Sequence, residues 1–187
     1  MPHDQQLKVL GISGSLRRGS YNTAALRAAI SVTPERMAIE PFDIAPIPVY
    51  NDDVRQQGFP PPVEEFRTRI RQADALLIVT PEYNYSIPGV LKNAIDWASR
   101  PPDQPFNGKP IAIMGASPGM LGTARAQYHL RQCFVFLNGL VLNRPEVMIA
   151  NAPSRFDPEG RLTDEPTLKI IRTLLESLRD WTHRLKN

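Results

Sequence analysis

One cysteine, Cys133, in 187 residues leaves the chain no internal disulfide. Three histidines, none grouped with Cys or acids at ligand spacing, give no indication of a zinc site. No apolar run approaches the roughly 18 residues needed to cross a bilayer. The opening MPHDQQ has no apolar signal-peptide core, so neither membrane nor export is expected, and a cytoplasmic location is. An excess of one charge is missing too, since 22 Lys and Arg against 19 Asp and Glu leave only +3 at neutral pH. The arginines are scattered. Their densest group, Arg67, Arg69 and Arg71, follows Glu64 and Glu65 and spreads around a helix, so a solvated surface is expected there and no nucleic-acid partner.

What is present suits one domain over residues 1–187, with ordinary hydrophobic (42%) and charged (22%) fractions and enough length to bury a core. The informative stretch is LKVLGISGSLRRGSYNT, Leu7 to Thr23. An apolar strand breaks into small polar residues and then a helix that Ser20 is placed to cap. Such a junction gathers backbone N–H groups, hydroxyls (Ser13, Ser15, Ser20, Thr23), Arg17 or Arg18 and the positive end of a helix, with no carboxylate nearby. It predicts a phosphate cradle. Gly11, Gly14 and Gly19 miss the dinucleotide spacing, and no Gly-Lys-Ser/Thr follows as in a nucleoside-triphosphate loop.

Further along, the pattern predicts strands at Met37–Phe42, Ala75–Thr80 and Ile111–Gly115, and a fifth between Leu140 and Ile149. Helices are predicted over Val63–Ala73, Gly89–Ser99, the segment closing near Leu137, and Asp164–Leu185. Pro41, Pro46 and Pro48 predict an extended loop through Tyr50 to Gly58. Alternation of five strands with five helices makes a doubly wound α/β domain with a parallel sheet. In the order 2-1-3-4-5, the loops after the first, third and fourth strands meet at the carboxyl edge, where such sheets bind ligands.

The second of these loops, Pro81-Glu82-Tyr83-Asn84-Tyr85-Ser86, offers aromatic faces and main-chain groups to a planar polar ring. The third, Ala116 to Gly122, lets a ring approach the backbone at Ser117 and Gly119. A phosphate at one end and a flat heteroaromatic at the other describe flavin mononucleotide (FMN). No Ser-His-acid or Cys-His pair is placed as a nucleophile. Cys133 falls on an apolar helix stripe, and Glu82, the acid of the loops, reads as an acceptor of backbone N–H groups in its own turn. Such a site suits a cofactor that does its own chemistry.

GSLRRGSYN (Gly14 to Asn22), PEYNYSIPGVLKNAIDWASR (Pro81 to Arg100) and GASPGMLGTARAQYHLR (Gly115 to Arg131) closely resemble the NADPH-dependent FMN reductase family. That resemblance implies a flavodoxin-like three-layer sandwich with FMN as cofactor and NADPH or NADH as donor. The implied reaction is ping-pong hydride transfer to small-molecule acceptors, namely quinones, chromate, ferric chelates or azo compounds. It also implies that Ser15, Arg17, Ser20 and Asn22, with Thr23 beside them, bind the phosphate. Pro81, Glu82, Tyr83, Asn84, Tyr85 and Ser86 would hold the ring and ribityl region, with Ser117 and Gly119 beside the ring. Thr123 departs from the second glycine that the family often carries after Gly122. The competing reading is a flavodoxin-type electron carrier without NAD(P)H turnover, but such carriers are typically acidic. A response-regulator domain lacks its acids here.

On the helix after the third loop, Ala126, Leu130, Cys133, Phe134 and Leu137 face the sheet, leaving Arg125, Tyr128, His129, Gln132 and Phe136 as a second stripe. Val90 and Trp97 lie outside the core row of the preceding helix. Aromatics and Arg with few acids predict an interface, and hence a homodimer or dimer of dimers.

Overall fold

The computed structural model describes residues 6–186. His3, one of the three histidines, lies outside them. Strand β1 (Leu7–Ser13) leads to helix α1 (Tyr21–Ser31) and β2 (Met37–Phe42); α2 (Asp52–Gln56) and α3 (Pro61–Gln72) precede β3 (Ala75–Val79). Then come α4 (Gly89–Ala98), β4 (Pro110–Ala116), α5 (Ala124–Phe136), β5 (Leu140–Val141), β6 (Val147–Ile149) and α6 (Glu165–Lys186). All strand pairs are parallel and the order is β2-β1-β3-β4-β5, with β6 also on β4.

Strand periodicity distributes the core between two layers. Val9, Leu77, Val79, Ala112 and Met114 pack with α1 and α6, whereas Leu10, Ile12, Leu76, Ile78, Ile111 and Ile113 pack with α3, α4 and α5. Both faces of β3 and β4 are therefore covered, which is why ALLIV and PIAIMGA are apolar without alternation.

Several elements differ from the sequence reading. The fifth strand is two short pieces, because the chain between them passes through Arg144-Pro145 and Pro145 has no N–H for the ladder. Helix α2 interrupts the proline loop. Its signal was Asn51-Asp52-Asp53: the Asn51 side chain accepts from Asp53 N (2.9 Å) and two acids occupy the first turn.

Arg67 is not on the solvated surface but 1% exposed. Its guanidinium donates to the carbonyls of Ala98 and Arg100 (both 2.7 Å) and Pro102, and lies 4.0 Å from the Phe59 ring centroid. Trp97, placed by periodicity outside the core row, is fully buried; its Nε1 donates to Pro48 O (2.8 Å) and Tyr50 meets its ring edge-on. Asn93 adds a donated bond to Pro48 O and accepts one from Tyr50 N. The proline loop thus supplies the cover that makes Trp97 interior. Cys133, expected in the core, is only half-buried.

Candidate functional site

Three loops leave the carboxyl edge after β1, β3 and β4, and named contacts join them. Gly14 N donates to Val79 O (2.8 Å), carrying the β1–β3 pairing one residue past the strands. A Cβ on Gly14 would stand 3.1 Å from Leu91 Cδ2 and 3.3 Å from Pro81 Cδ and Pro88 Cγ, so the first and second loops touch where only a small residue fits. Gly115 sits under Thr80 and Thr123: a Cβ there would be 2.3 Å from Thr80 O and 2.0 Å from Thr123 Oγ1. That contact closes the second loop against the third. Thr123 itself is buried against Gly115 and accepts from Gln127 Nε2 (3.1 Å), so its departure from the family pattern fills the interior beneath the loop.

In the first loop, Ser20 is the N-cap of α1 and its hydroxyl accepts from Asn22 N (3.2 Å) and Thr23 N (3.3 Å). Ser15 and Ser13 accept weakly from Arg17 N and Ser15 N, and Ser13 pairs with Thr23 across the loop. The N–H groups of Leu16, Arg18, Gly19 and Tyr21 have no acceptor among the described residues. The first turn of α1 carries no acid, and the Arg17 guanidinium lies over Gly19, its Nη2 3.9 Å from a Cβ built there. Free N–H donors, hydroxyls that retain their protons for donation and one cation form a donor set that fits a phosphate.

Asn22, expected at the phosphate, is tied by its side chain to the main chain of β4. Its side chain, 4% exposed, accepts from Ala116 N (2.8 Å) and donates to Ala116 O (2.9 Å). Ser117 N bonds β6 at Ile149 O, so Ala116 turns its polar groups toward β3, which has ended at Val79. The Asn22 amide completes the ladder there and fixes the cradle to β4.

In the second loop, Glu82 reaches beyond its own turn to the start of α5, where Thr123 provides no side-chain cap. Glu82 Oε2 accepts from Arg125 N and Ala126 N, and Oε1 from the Arg125 guanidinium, all at 3.1 Å. Both carboxylate oxygens are thereby engaged, and the Pro81 carbonyl accepts from Thr80 Oγ1 (2.9 Å). Tyr83 and Ser86 exchange both backbone bonds, with Asn84 and Tyr85 at φ +50 and +66 forming a type I′ corner. A tyrosine at positive φ is costly, and here it holds Tyr83 and Tyr85 out, 54% and 65% exposed. The Arg125 guanidinium stacks 3.6 Å from the Tyr85 ring centroid.

Sequence reasoning placed Arg125 and His129 together in an interface stripe. His129 Nδ1 lies 3.1 Å from Ser86 Oγ, so both residues join the second loop. Their signal was spacing: Arg125 and His129 are i, i+4 on α5 and share one face.

In the third loop, Ser117 and Gly119 are tied by their carbonyls to the N–H groups of Ala152 and Asn151. Gly122, at φ +58, has its Cα against the Met148 backbone, where a Cβ would be 2.6 Å from Met148 C. Ser117 is partly exposed, and Gly119 and Met120 are exposed. Burial pushes the Cys133 thiol up, away from the thiolate form. Among the described residues no cluster of His, Cys, Asp or Glu is arranged to hold a metal ion, and no helix is long and apolar enough to cross a membrane.

A phosphate cradle, an aromatic turn and a small-residue loop over a 2-1-3-4-5 sheet define a flavodoxin-like cofactor-binding domain. Comparison with known proteins narrows the class. Residues 7–154 match the model of the NADPH-dependent FMN reductase family, and the chain belongs to that family. It is 63% identical over 180 residues to an NAD(P)H-dependent FMN reductase of Pseudomonas aeruginosa, covering 96% of this chain and 97% of the relative. It is 46% identical to the quinone reductase of Escherichia coli K12, covering 97% and 98%. Among solved structures, FerB, a flavoenzyme NAD(P)H:(acceptor) oxidoreductase from Paracoccus denitrificans, matches with TM-score 0.86 and 35% identity, covering 95% of this chain and 98% of that one. The family's cofactor is FMN and its donor NAD(P)H, and the donor set of the first loop fits the FMN phosphate.

Proposed function

We propose that the protein is an FMN-dependent NAD(P)H:acceptor oxidoreductase whose one opening serves donor and acceptor in turn, giving ping-pong kinetics. The observation that carries this reading is the joining of the three loops into one site with a phosphate cradle at one end. Bound there, FMN supplies hydride acceptance from NAD(P)H and delivery of electrons to the second substrate.

The residues of the chain bind and orient. Arg17, the free N–H groups of the first loop and the hydroxyls of Ser15, Ser20 and Thr23 hold the phosphate, with Asn22 positioning them through β4. Main-chain groups of Glu82, Asn84 and Tyr85 meet the ring edge, since those of Tyr83 and Ser86 are spent on each other, and Ser117 and Gly119 flank the ring. Tyr83 and Tyr85 line the open side. Glu82 is occupied by α5, so the loops keep no carboxylate free for proton transfer.

An open site with few specifying groups favours loose acceptor choice. The named activity of the E. coli relative supports quinones first. Azo compounds extend the same two-electron chemistry, and ferric chelates and chromate would draw the flavin's electrons one at a time, one per iron and three per chromium. A second copy of the chain packs on α5, where Tyr128, Val135 and Phe136 (88% exposed) form an apolar face. The absorbance spectrum of the purified protein tests the main reading. A flavin band that bleaches with NADPH under anaerobic conditions and returns with a soluble quinone is expected. A flavin band that NADPH leaves untouched indicates a carrier and refutes the enzyme.

A further inference from the structure

A cleft of about 500 Å³ opens between α1 and the segment 153–160, bordering the back of the first loop at Arg18, Gly19 and Ser20. Its charged lining is Arg18 and Arg27 against Asp157 and Glu159. The acids are already matched. Arg161 holds Asp157 through Nε (2.7 Å) and its own N–H (2.7 Å), and reaches Glu159 with Nη2 (3.4 Å). Arg18 and Arg27 make no ion pair or side-chain hydrogen bond with any described residue. Arg27 nonetheless has a defined place: its Nη2 is 3.6 Å from a Cβ built on Gly160, a residue at φ +77 in the facing turn. Tyr21, packed 5.2 Å from Phe156, and the rings of Pro153 and Pro158 supply flat apolar walls.

We propose that this cleft binds the adenosine 2′-phosphate end of NADPH, with Arg18 and Arg27 as the phosphate ligands. The proposal rests on the donor assignment of the preceding subsection. Two unpaired guanidiniums suit a phosphomonoester dianion, and the Tyr21 and proline walls suit a purine. The volume lies within the range of about 300–1,000 Å³ typical of small-molecule sites. Continuity places the cleft on the dinucleotide's path: Asn151 N donates to Gly119 O and Ala152 N to Ser117 O, so the wall of the cleft begins at the third loop. Two other clefts are less suited. One of about 440 Å³ beside the end of β2 is lined by Ser13, Ser15, Arg17 and Thr23 and so belongs to the phosphate cradle already described. One of about 480 Å³ along β1 has its Arg69 and Glu40 already paired.

The test uses FMN-loaded protein titrated calorimetrically with 2′-AMP and 5′-AMP. Wild type should bind 2′-AMP at least about tenfold more tightly, the scale of a charge-assisted contact. Arg27→Gln should remove that preference, and should raise KM for NADPH about tenfold while KM for NADH and both kcat values stay within twofold. Arg18→Gln, measured at saturating FMN, should do the same, with Arg18→Lys recovering part of the loss. Equal wild-type affinity for the two nucleotides, a preference that survives both Gln variants, or equal rises in KM for NADPH and NADH would overturn the assignment. Failure to oxidise either dinucleotide would refute the donor reading, while the nucleotide titration still decides the cleft.

Discussion

Replacing Asn22 by Ala tests whether this residue holds the cradle or the ligand. In the native chain its amide makes two buried hydrogen bonds to the main chain of Ala116, 94 residues away. Truncation leaves Ala116 N and O without partners where water does not reach, because Ala116 is buried and β3 has already ended. Each orphaned buried group costs about 1–3 kcal/mol, so a loss of about 2–6 kcal/mol is expected for the two. For a domain of this size, that lowers the melting temperature by about 4–24 °C. Asn22→Asp should be no better, since a carboxylate cannot donate to Ala116 O and would be buried with its charge. The assay is thermal unfolding of the FMN-free protein, paired with titration of FMN and of riboflavin, which lacks the phosphate. Both flavins should weaken together. An unchanged melting temperature combined with selective loss of FMN would refute the argument and return Asn22 to the phosphate.

Arg17→Ala should behave in the opposite way, weakening FMN by about 1–3 kcal/mol with little effect on riboflavin or on melting; equal losses for both flavins would place the phosphate elsewhere. Glu82→Ala strips α5 of its cap and Arg125 of its partner, and should cost about 1–3 kcal/mol in urea unfolding while leaving the flavin spectrum in place. Substitution of His129, His183 or Cys133 should leave anaerobic flavin reduction by NADPH within a few-fold of wild type; a fall of about a thousandfold in a folded variant would reveal a general catalyst. Tyr128→Asp should shift the mass in light scattering toward the monomer at micromolar concentration, and a wild-type protein that is already monomeric with turnover intact rules the interface out.

The parts of this molecule that were legible in sequence are those governed by local physics. Val9 to Ile12 and Ala75 to Val79 show uninterrupted apolar character because both sheet faces are covered, and the parallel pairing follows from alternation with helices. Ser20 announces its cap because the bonds it accepts come from two and three residues on. Asn51-Asp52-Asp53 carried the same local signal for α2, masked by the surrounding prolines. Arg67 and Trp97 were illegible for the reverse reason. Periodicity fixes the side of a helix on which a residue lies, but not what chain arrives there. Arg67 becomes interior only because the carbonyls ending α4 converge on it, and Trp97 only because Pro48 and Tyr50 fold over it.

The same distinction runs through the site. Loop composition gave the cradle, the aromatic turn and the small-residue loop, yet each is held by a partner distant in sequence: Asn22 by Ala116, Glu82 by the start of α5, Ser117 and Gly119 by the segment at 151–152. These polar ties cross from one loop to the next, so the three loops form one frame fastened to β4 and α5. Tyr85 at positive φ is kept in place by that frame through Arg125, itself fixed by Glu82. A change in Glu82 should therefore be felt at the aromatic turn as well as at α5, and loosening of the Tyr83–Ser86 corner should follow from either. Freedom remains on the open side, where Tyr83, Gly119 and Met120 meet solvent. A rigid floor with an open, sparsely polar mouth holds one cofactor in a fixed orientation while imposing few demands on what approaches it.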